Sequence, residues 1–346
     1  MRKIGLIFLS VLLVLLADSL FAQSEVVFSQ YMNAPLQINP ANAGLFNGRV
    51  RLLGNYKRQW ESIDNPFQTI AASADMQVAR ELSPGDFLGL GFDLLQDKGG
   101  AGGFQSTNVN LTLSYTKTMD PYDEHFVSLG LQVGYGQRSI ALSALRWGNQ
   151  WADIGFDPTL PSQEQFVDEA INFLDISGGV NYIFNNQKNI KLSLGVASYH
   201  LNEPSYSFLD ADNVLNQRLV VNGMLRLQMS DPKFVLVPSF VYFTQQNMTS
   251  IKYGIDFEYV FNAGSRFTGM VQPTSLALGV YQIFSNGITP MLSIQKSGFL
   301  LAISYDINIG SVSRINEGLG GPEFTVGYRI GSMNGRNDKN VTNSFF

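Results

Sequence analysis

Phe126-Val-Ser-Leu-Gly-Leu-Gln-Val-Gly-Tyr-Gly-Gln137 decides the fold. Side chains of an extended chain alternate between two faces. That puts Val127, Leu129, Leu131, Val133 and Tyr135 on one side and Ser128, Gly130, Gln132, Gly134 and Gly136 on the other. One face is large and apolar throughout; the other is glycine and small polar residues. A packed soluble core has no use for that second face, whereas lipid on one side and a hydrated lumen on the other account for both at once.

The pattern recurs along the chain. In 251–261, Ile251, Tyr253, Ile255, Phe257, Tyr259 and Phe261 oppose Lys252, Gly254, Asp256 and Glu258. In 301–309, Leu301, Ile303, Tyr305, Ile307 and Ile309 oppose Ser304, Asp306 and Asn308. About fourteen such segments lie between Arg49 and Ile330, most of the length a tilted membrane strand needs. The body holds no apolar run of roughly 20 residues, which excludes helical spans. With the first strand entering from the periplasm, five of the six periplasmic connections (80–86, 119–124, 186–189, 230–233, 297–298) are short, and 262–273 is the exception. The opposite side receives the long segments 139–173, 201–216 and 311–321, the asymmetry of an outer-membrane barrel. The sequence therefore predicts an all-β protein, a transmembrane antiparallel β-barrel of about fourteen strands over 49–331. Closure leaves no free sheet edge in lipid.

Composition agrees. Charged residues make up 15%, against roughly 25% in soluble domains, while the chain holds 33 glycines. The absence of cysteine excludes a disulfide scaffold, a cysteine-ligated metal and a thiol nucleophile. Arg2 and Lys3, an apolar run over 4–16 and Leu20-Phe-Ala22 read as a secretory signal peptide over 1–22, cleaved after Ala22. Its removal takes the formal charge from 23 − 28 = −5 to 21 − 27 = −6, so no basic surplus invites nucleic acid. Residues 332–346 are a polar tail.

Residues 23–48 form an irregular segment. Pro35, Pro40 and Gly44 interrupt any helix, and Asn39 before Pro40 favours an extended or turning backbone. Such a stretch must lean on something else, in or against the lumen. From 49 the chain alternates again, with Val50, Leu52, Tyr56 and Trp60 opposite Arg49, Arg51, Asn55, Lys57 and Gln59. The charges expected on the lumen face are Arg49, Arg51, Lys57, Arg226, Lys252, Asp256, Glu258, Asp306 and Arg329. They read either as ion pairs in water or as seats for the N-terminal segment or a partner's polypeptide.

Chemistry is scarce. The two histidines are His125 and His200, and Ser198-Tyr-His200 puts one serine and one histidine on a common face at a strand end. No spacing supplies a nucleophile, its base and a third, orienting group. Asp210-Ala-Asp212-Asn213 lacks the glycine and terminal glutamate of an EF-hand loop. No catalytic residue, metal site or cofactor is expected. In 139–173, Trp147, Trp151 and Phe156 stand among Asn149, Gln150, Asp153 and Asp157. Aromatic side chains rimmed by polar groups fit a binding surface, an interfacial girdle or packing over the barrel mouth.

Several ordered stretches carry a family resemblance: F-S-Q-Y-M at 28–32, I-N-P-A-N-A-G at 38–44, N-Y-K-R-Q-W at 55–60, L-G-L-G-F-D-L-L-Q-D-K at 88–98, L-S-A-L-R-W-G-N-Q at 142–150, G-F-D-P-T-L-P-S at 155–162 and L-D-I-S-G-G-V at 174–180. In this order they resemble the PorP/SprF family, outer-membrane proteins of type IX secretion and gliding. The polar tail after Ile330 departs from the family pattern. The resemblance implies a non-enzymatic barrel in outer-membrane lipid, whose partners are secretion or gliding machinery and the C-terminal domain of a secreted adhesin. The expected external contact is Trp147, Asn149, Gln150, Trp151, Phe156, Asp157 and Pro158; the expected internal one is Tyr31, Asn39, Pro40 and Gly44. The competing reading is a channel for fatty acids or other apolar molecules of the FadL type, which also has about fourteen strands and an N-terminal segment in the lumen. Asn39-Pro-Ala41 is similar to the beginning of that family.

Overall fold

Fourteen antiparallel strands close on themselves in the computed structural model. It describes residues 27–60, 65–80, 85–100, 102–152, 155–157, 159–164, 169–186, 188–208, 213–262, 274–283, 287–309, 313 and 318–330. The wall strands are β1 (Val50–Gln59), β2 (Phe67–Arg80), β3 (Phe87–Gly99), β4 (Phe104–Thr118), β5 (His125–Ser139), β8 (Ala170–Asn185), β9 (Ile190–Tyr199), β10 (Arg218–Gln228), β11 (Phe234–Gln245), β12 (Met248–Asn262), β13 (Thr274–Ile283), β14 (Gly287–Lys296), β15 (Phe299–Asn308) and β16 (Leu319–Ile330). A two-residue pair, β6 (Trp151–Ala152) and β7 (Gly155–Phe156), sits in the connection between β5 and β8. Every wall strand pairs with its neighbours in order, and β1 closes on β16 from Val50↔Ile330 to Lys57↔Glu323. The signal-peptide residues, Asp210 to Asp212 and the tail lie outside the described residues.

The faces follow the alternation. Leu129, Leu131 and Val133 are exposed on the outside, Leu131 at 65%, while Ser128 and Gln132 are buried inside. The wall is not equally tall. Strands β2 to β5 and β8 run 13 to 16 residues, whereas β9, β10 and β13 to β15 have 10 or 11. Strands β5 and β8 stay paired up to Ser139↔Ala170, beyond the limits at 137 and 174 that hydropathy suggests. Past the bilayer there is no lipid to demand an apolar face, so polar pairs such as Gln137 donating to Asn172 (3.1 Å) extend the ladder without leaving an alternation to read. The tall side carries the 140–169 loop.

Two prolines interrupt the ladders. Pairing of β10 with β11 passes from Met224↔Ser239 to Leu227↔Leu236, and that of β14 with β15 from Ile288↔Ile307 to Met291↔Ser304. Pro238 and Pro290 lie in these gaps, where the missing N–H removes the rung.

Residues 27–48 fill the middle of the lumen. Two 3₁₀ turns, Tyr31–Asn33 and Pro40–Asn42, flank one helical turn, Pro35–Ile38. Pro35 and Pro40 each open a turn, where a missing N–H costs nothing. Asn39 Oδ1 accepts the Ala41 N–H at 2.9 Å and caps the second turn. The small inward residues that suggested a hydrated lumen are in large part contact positions. A Cβ at Gly89 would meet the Ala43 carbonyl, one at Gly130 the backbone of Pro40 and Ala41, and one at Gly179 the Asn39 side chain. At Gly89 and Gly130 glycine is there because another backbone lies against the wall, and at Gly179 because the capping Asn39 side chain does.

Leu131→Arg puts a charge on the lipid face at mid-strand and should cost roughly 2–4 kcal/mol. Loss of the heat-modifiable folded band on electrophoresis is the expected result; unchanged folding would reverse the facing of β5.

Candidate functional site

The N-terminal segment is held by charge at its start. Glu323, wholly buried, accepts the Ser29 and Gln30 N–H groups at 2.8 Å each. Lys57 Nζ lies 2.9 Å from Asp306 and 3.5 Å from Glu323, and it donates to Ser29 Oγ at 2.9 Å. Lys252 Nζ donates to the Val27 carbonyl at 2.6 Å. The Gln30 amide donates to Ser304 Oγ and to the Glu323 carbonyl, and accepts from Thr325 Oγ1 at 2.8 Å. Wall side chains thus satisfy residues Val27 to Gln30 as they would a peptide ligand.

The other end is held by Arg51 and Asp75. The guanidinium makes a two-point contact with the carboxylate, at 2.9 and 2.8 Å, and stacks 4.7 Å over the Phe46 ring. Asp75 in turn accepts the Gly44 N–H at 2.8 Å, and Gly44, at φ +75°, turns the chain out towards β1. Between the two ends, Asn39 donates to the Val180 carbonyl at 3.0 Å. The Tyr31 hydroxyl meets Ser239 at 2.8 Å, and its ring packs edge-on against Tyr281. Burial pushes the Tyr31 hydroxyl well up from its ordinary range.

Of the charges expected in the lumen, Arg51, Lys57, Lys252, Asp256 and Asp306 are buried. Arg226 pairs with Glu258 at 2.6 Å, Arg329 donates to Gln295 at 3.2 Å, and Arg49 is exposed at the end of β1. Tyr31, Asn39 and Pro40 are buried against the wall. Sequence reasoning missed Asp75 and Glu323, the two carboxylates that receive the segment's N–H groups, and the glycine cradle of Gly89, Gly130 and Gly179. Inward glycines recurring on neighbouring strands were the available signal. A cavity of about 60 Å³ remains between the segment and strands β8 to β11, lined by Met32, Pro35, Ile38, Leu45, Met224 and others, with Arg51 and Asn181 at its polar side.

The long loop between β5 and β8 has a built interior. Gln150, buried, accepts the Trp147 N–H at 3.2 Å and donates to the Leu160 carbonyl at 2.9 Å, while its own carbonyl accepts the Asp157 N–H at 2.8 Å. Asn149 donates to the Ser162 carbonyl at 3.1 Å. Trp151 is 58% exposed and pairs with Phe156, whose ring also carries the Arg146 guanidinium at 5.1 Å. Trp147 is half-buried. The Thr159 hydroxyl and N–H hold the Asp157 carboxyl below its ordinary range. Asp153 and Pro158 lie outside the described residues. The loop is tied to the β3–β4 tip through Ala141 N–H and the Gly102 carbonyl at 2.9 Å.

Ser198 and His200 do not share a face. Tyr199 points into the lumen and reaches the Leu36 carbonyl, which leaves Ser198 on the outside. A left-handed backbone at His200, φ +59°, ends the alternation and turns that side chain inward, 3.0 Å from Asp175.

The family described as type IX secretion system membrane protein PorP/SprF matches residues 20–328. The chain belongs to the PorP/SprF family. It is a type IX secretion membrane protein with an outer-membrane barrel fold. No curated protein matches this PorP/SprF chain. Solved barrels that resemble it include the toluene transporter TbuX of Ralstonia pickettii, with TM-score 0.49 and 12% identity over 88% of this chain and 95% of that one. The toluene transporter TodX of P. putida gives 0.48 and 12% over 86% and 93%. BamA of Haemophilus ducreyi lacking POTRA domains 1–3 gives 0.44 and 10% over 82% and 70%.

Gly130→Val in this PorP/SprF protein should leave the outer face of the barrel untouched and push the Pro40–Ala41 backbone off the wall, with a loss of roughly 1–3 kcal/mol. Limited proteolysis of folded protein should then cut within 27–48, where the parent chain resists. Equal resistance would show that the segment does not depend on this contact.

Proposed function

We propose that this protein is a non-enzymatic outer-membrane component of type IX secretion or gliding that holds polypeptide. In this reading it binds secretion or gliding machinery on its periplasmic side, and anchors the C-terminal domain of a secreted surface adhesin on its external side. The observation that carries the reading is the filled lumen, whose centre is occupied by the chain's own segment, gripped through its backbone by Glu323 and Lys252 and through the Ser29 hydroxyl by Lys57. A wall that binds backbone groups is suited to polypeptide. Ligand pockets for drug-sized molecules enclose roughly 300–1,000 Å³, far above the cavity of about 60 Å³ beside the segment, which weighs against passage of fatty acids. The external contact is assigned to Trp147, Trp151 and Phe156, set on the polar frame of Asn149, Gln150 and Asp157, with Pro158 next in sequence. Large aromatic side chains held in place supply contact area at low entropic cost.

Replacing Trp147, Trp151 and Phe156 together by alanine should leave the heat-modifiable barrel intact. Recovery of the secreted surface protein with it should fall at least tenfold, as read by quantitative mass spectrometry after native purification. Undiminished recovery would remove the loop from the contact. The Asp157 turn adds a pH dependence. Because its carboxyl is held low by Thr159, its contribution is full above the ordinary carboxylate range, about 4, and is lost as pH falls through the lower folded value. The protection of the Thr159 and Leu160 amides, corrected for the intrinsic pH dependence of exchange, should therefore hold at pH 5 and fall only in stronger acid; a fall already at pH 5 would contradict the turn.

A further inference from the structure

At the end of the lumen where the short turns lie, positive groups face one another across the ladder. Arg51 on β1 and Arg329 on β16 are direct cross-strand partners on the inner face, and so are Lys191 on β9 and Arg226 on β10. Like charges in directly opposed positions destabilise a sheet. The two pairs also act on each other, since both Arg51 and Arg226 repel Arg329. For the three arginines, local carboxylates do not offset this in full. Asp75 is engaged by Arg51 at two points, Glu258, which attracts Arg329, is engaged by Arg226 at 2.6 Å, and Asp256, which also attracts Arg226, accepts the Tyr281 hydroxyl. Among the described residues the Arg329 side chain hydrogen-bonds a neutral amide oxygen, that of Gln295 at 3.2 Å.

These cations adjoin the cavity beside the N-terminal segment, because Arg51 belongs to both. The cavity's apolar lining is Met32, Pro35, Ile38, Leu45 and Met224, and its volume of about 60 Å³ suits one aliphatic side chain rather than a long acyl chain. Arg226 and Arg329 are only partly buried, so the positive groups can be reached from that end.

We propose that the periplasmic mouth of the lumen is a binding site for an acidic polypeptide segment, with a carboxylate on Arg329 and Arg226 and a neighbouring aliphatic side chain in the cavity. The charge excess selects an anion, and the small apolar recess next to it selects an aliphatic residue beside the acid. The site rests on the proposed function only for where the segment comes from; binding itself is a property of the isolated barrel.

The test uses the full-length protein in mild detergent and calorimetry with three probes: a capped peptide acetyl-Gly-Glu-Leu-Glu-Gly-amide, its counterpart with glutamine for both glutamates, and octanoate. The glutamate peptide should bind saturably, weaken as salt rises, and bind at least tenfold tighter than the glutamine peptide. Arg329→Gln should reduce its affinity at least tenfold. Gln295→Glu should do the same while keeping every cation, because it places an internal carboxylate where Arg329 already makes contact; this second variant decides the matter if the first does not fold. Lys233→Gln, on an exposed turn of the same side, should change nothing. Equal binding of the two peptides, no peptide binding, or full binding by folded Gln295→Glu would overturn the site. Octanoate binding that depends on Arg329, with no peptide binding, would also overturn it and put a small amphiphile in its place. Loss of the surface partner in the loop variants with peptide binding intact would count against the external contact and not against this site.

Discussion

Glu323 sits fully buried in the barrel wall, and a carboxylate there is tolerable only if its charge and lone pairs are satisfied. Lys57 supplies the charge, and the Ser29 and Gln30 N–H groups supply the hydrogen bonds. The rest of the architecture depends on this arrangement. Asp306 and Lys252 extend the same network to Ser29 Oγ and to the Val27 carbonyl. Remove the segment and four buried charges lose partners together. Remove the charges and the segment's start, which has no ladder of its own, is left without acceptors and donors. Segment and barrel therefore stabilise one another, and the wall's polar interior is better understood as half of an interface than as the lining of a pore.

The geometry of the wall follows from that interface and leads to function. Glycines at 89, 130 and 179 let the turns of the segment reach the strands closely, so the lumen narrows on the side of β3, β5 and β8. The remaining space gathers on the side of β8 to β11 as a small cavity. The same tall strands that receive the segment inside carry the aromatic loop outside the membrane, fastened at Gly102. Strands β5 and β8 thus join the internal segment to the loop between them, whereas β13 and β15 meet the segment's start through Tyr281, Ser304 and Asp306 and carry no part of that loop.

The strands were legible because lipid imposes a period of two that few other environments impose so uniformly; Leu129, Leu131 and Val133 announce their facing. The closed count and the presence of an irregular segment at the lumen were legible for related reasons, since strand lengths and prolines act locally. The partner of each lumen charge was not. Lys57 meets Glu323 only once the barrel has closed β1 on β16, and Arg51 meets Asp75 only once the β1–β2 hairpin has set its register. Glycine was ambiguous in kind: Gly130 reads equally well as an unoccupied hydrated position and as a contact too close for a side chain, and only the segment's placement separates the two. Strand ends above the bilayer faded from the hydropathy pattern, so β8 begins earlier than its apolar run. Gln150 looked like part of an exposed polar rim and instead forms the loop's buried centre, because an amide can close two turns at once. At His200 a single left-handed residue reversed a facing that alternation alone would have kept.

Cross-linking tests most directly whether the N-terminal segment is part of the lumen. The chain has no cysteine of its own, so Ala41→Cys and Ser128→Cys can be introduced together at positions where the Ser128 hydroxyl donates to the Ala41 carbonyl at 2.8 Å. Treatment of intact outer membranes with a short thiol-specific cross-linker should join the two residues in nearly every molecule, detected as a linked peptide by mass spectrometry. Either single variant should give no such product. Free, fully alkylatable thiols at both positions in a folded double variant would place the segment outside the barrel and contradict the structure described above.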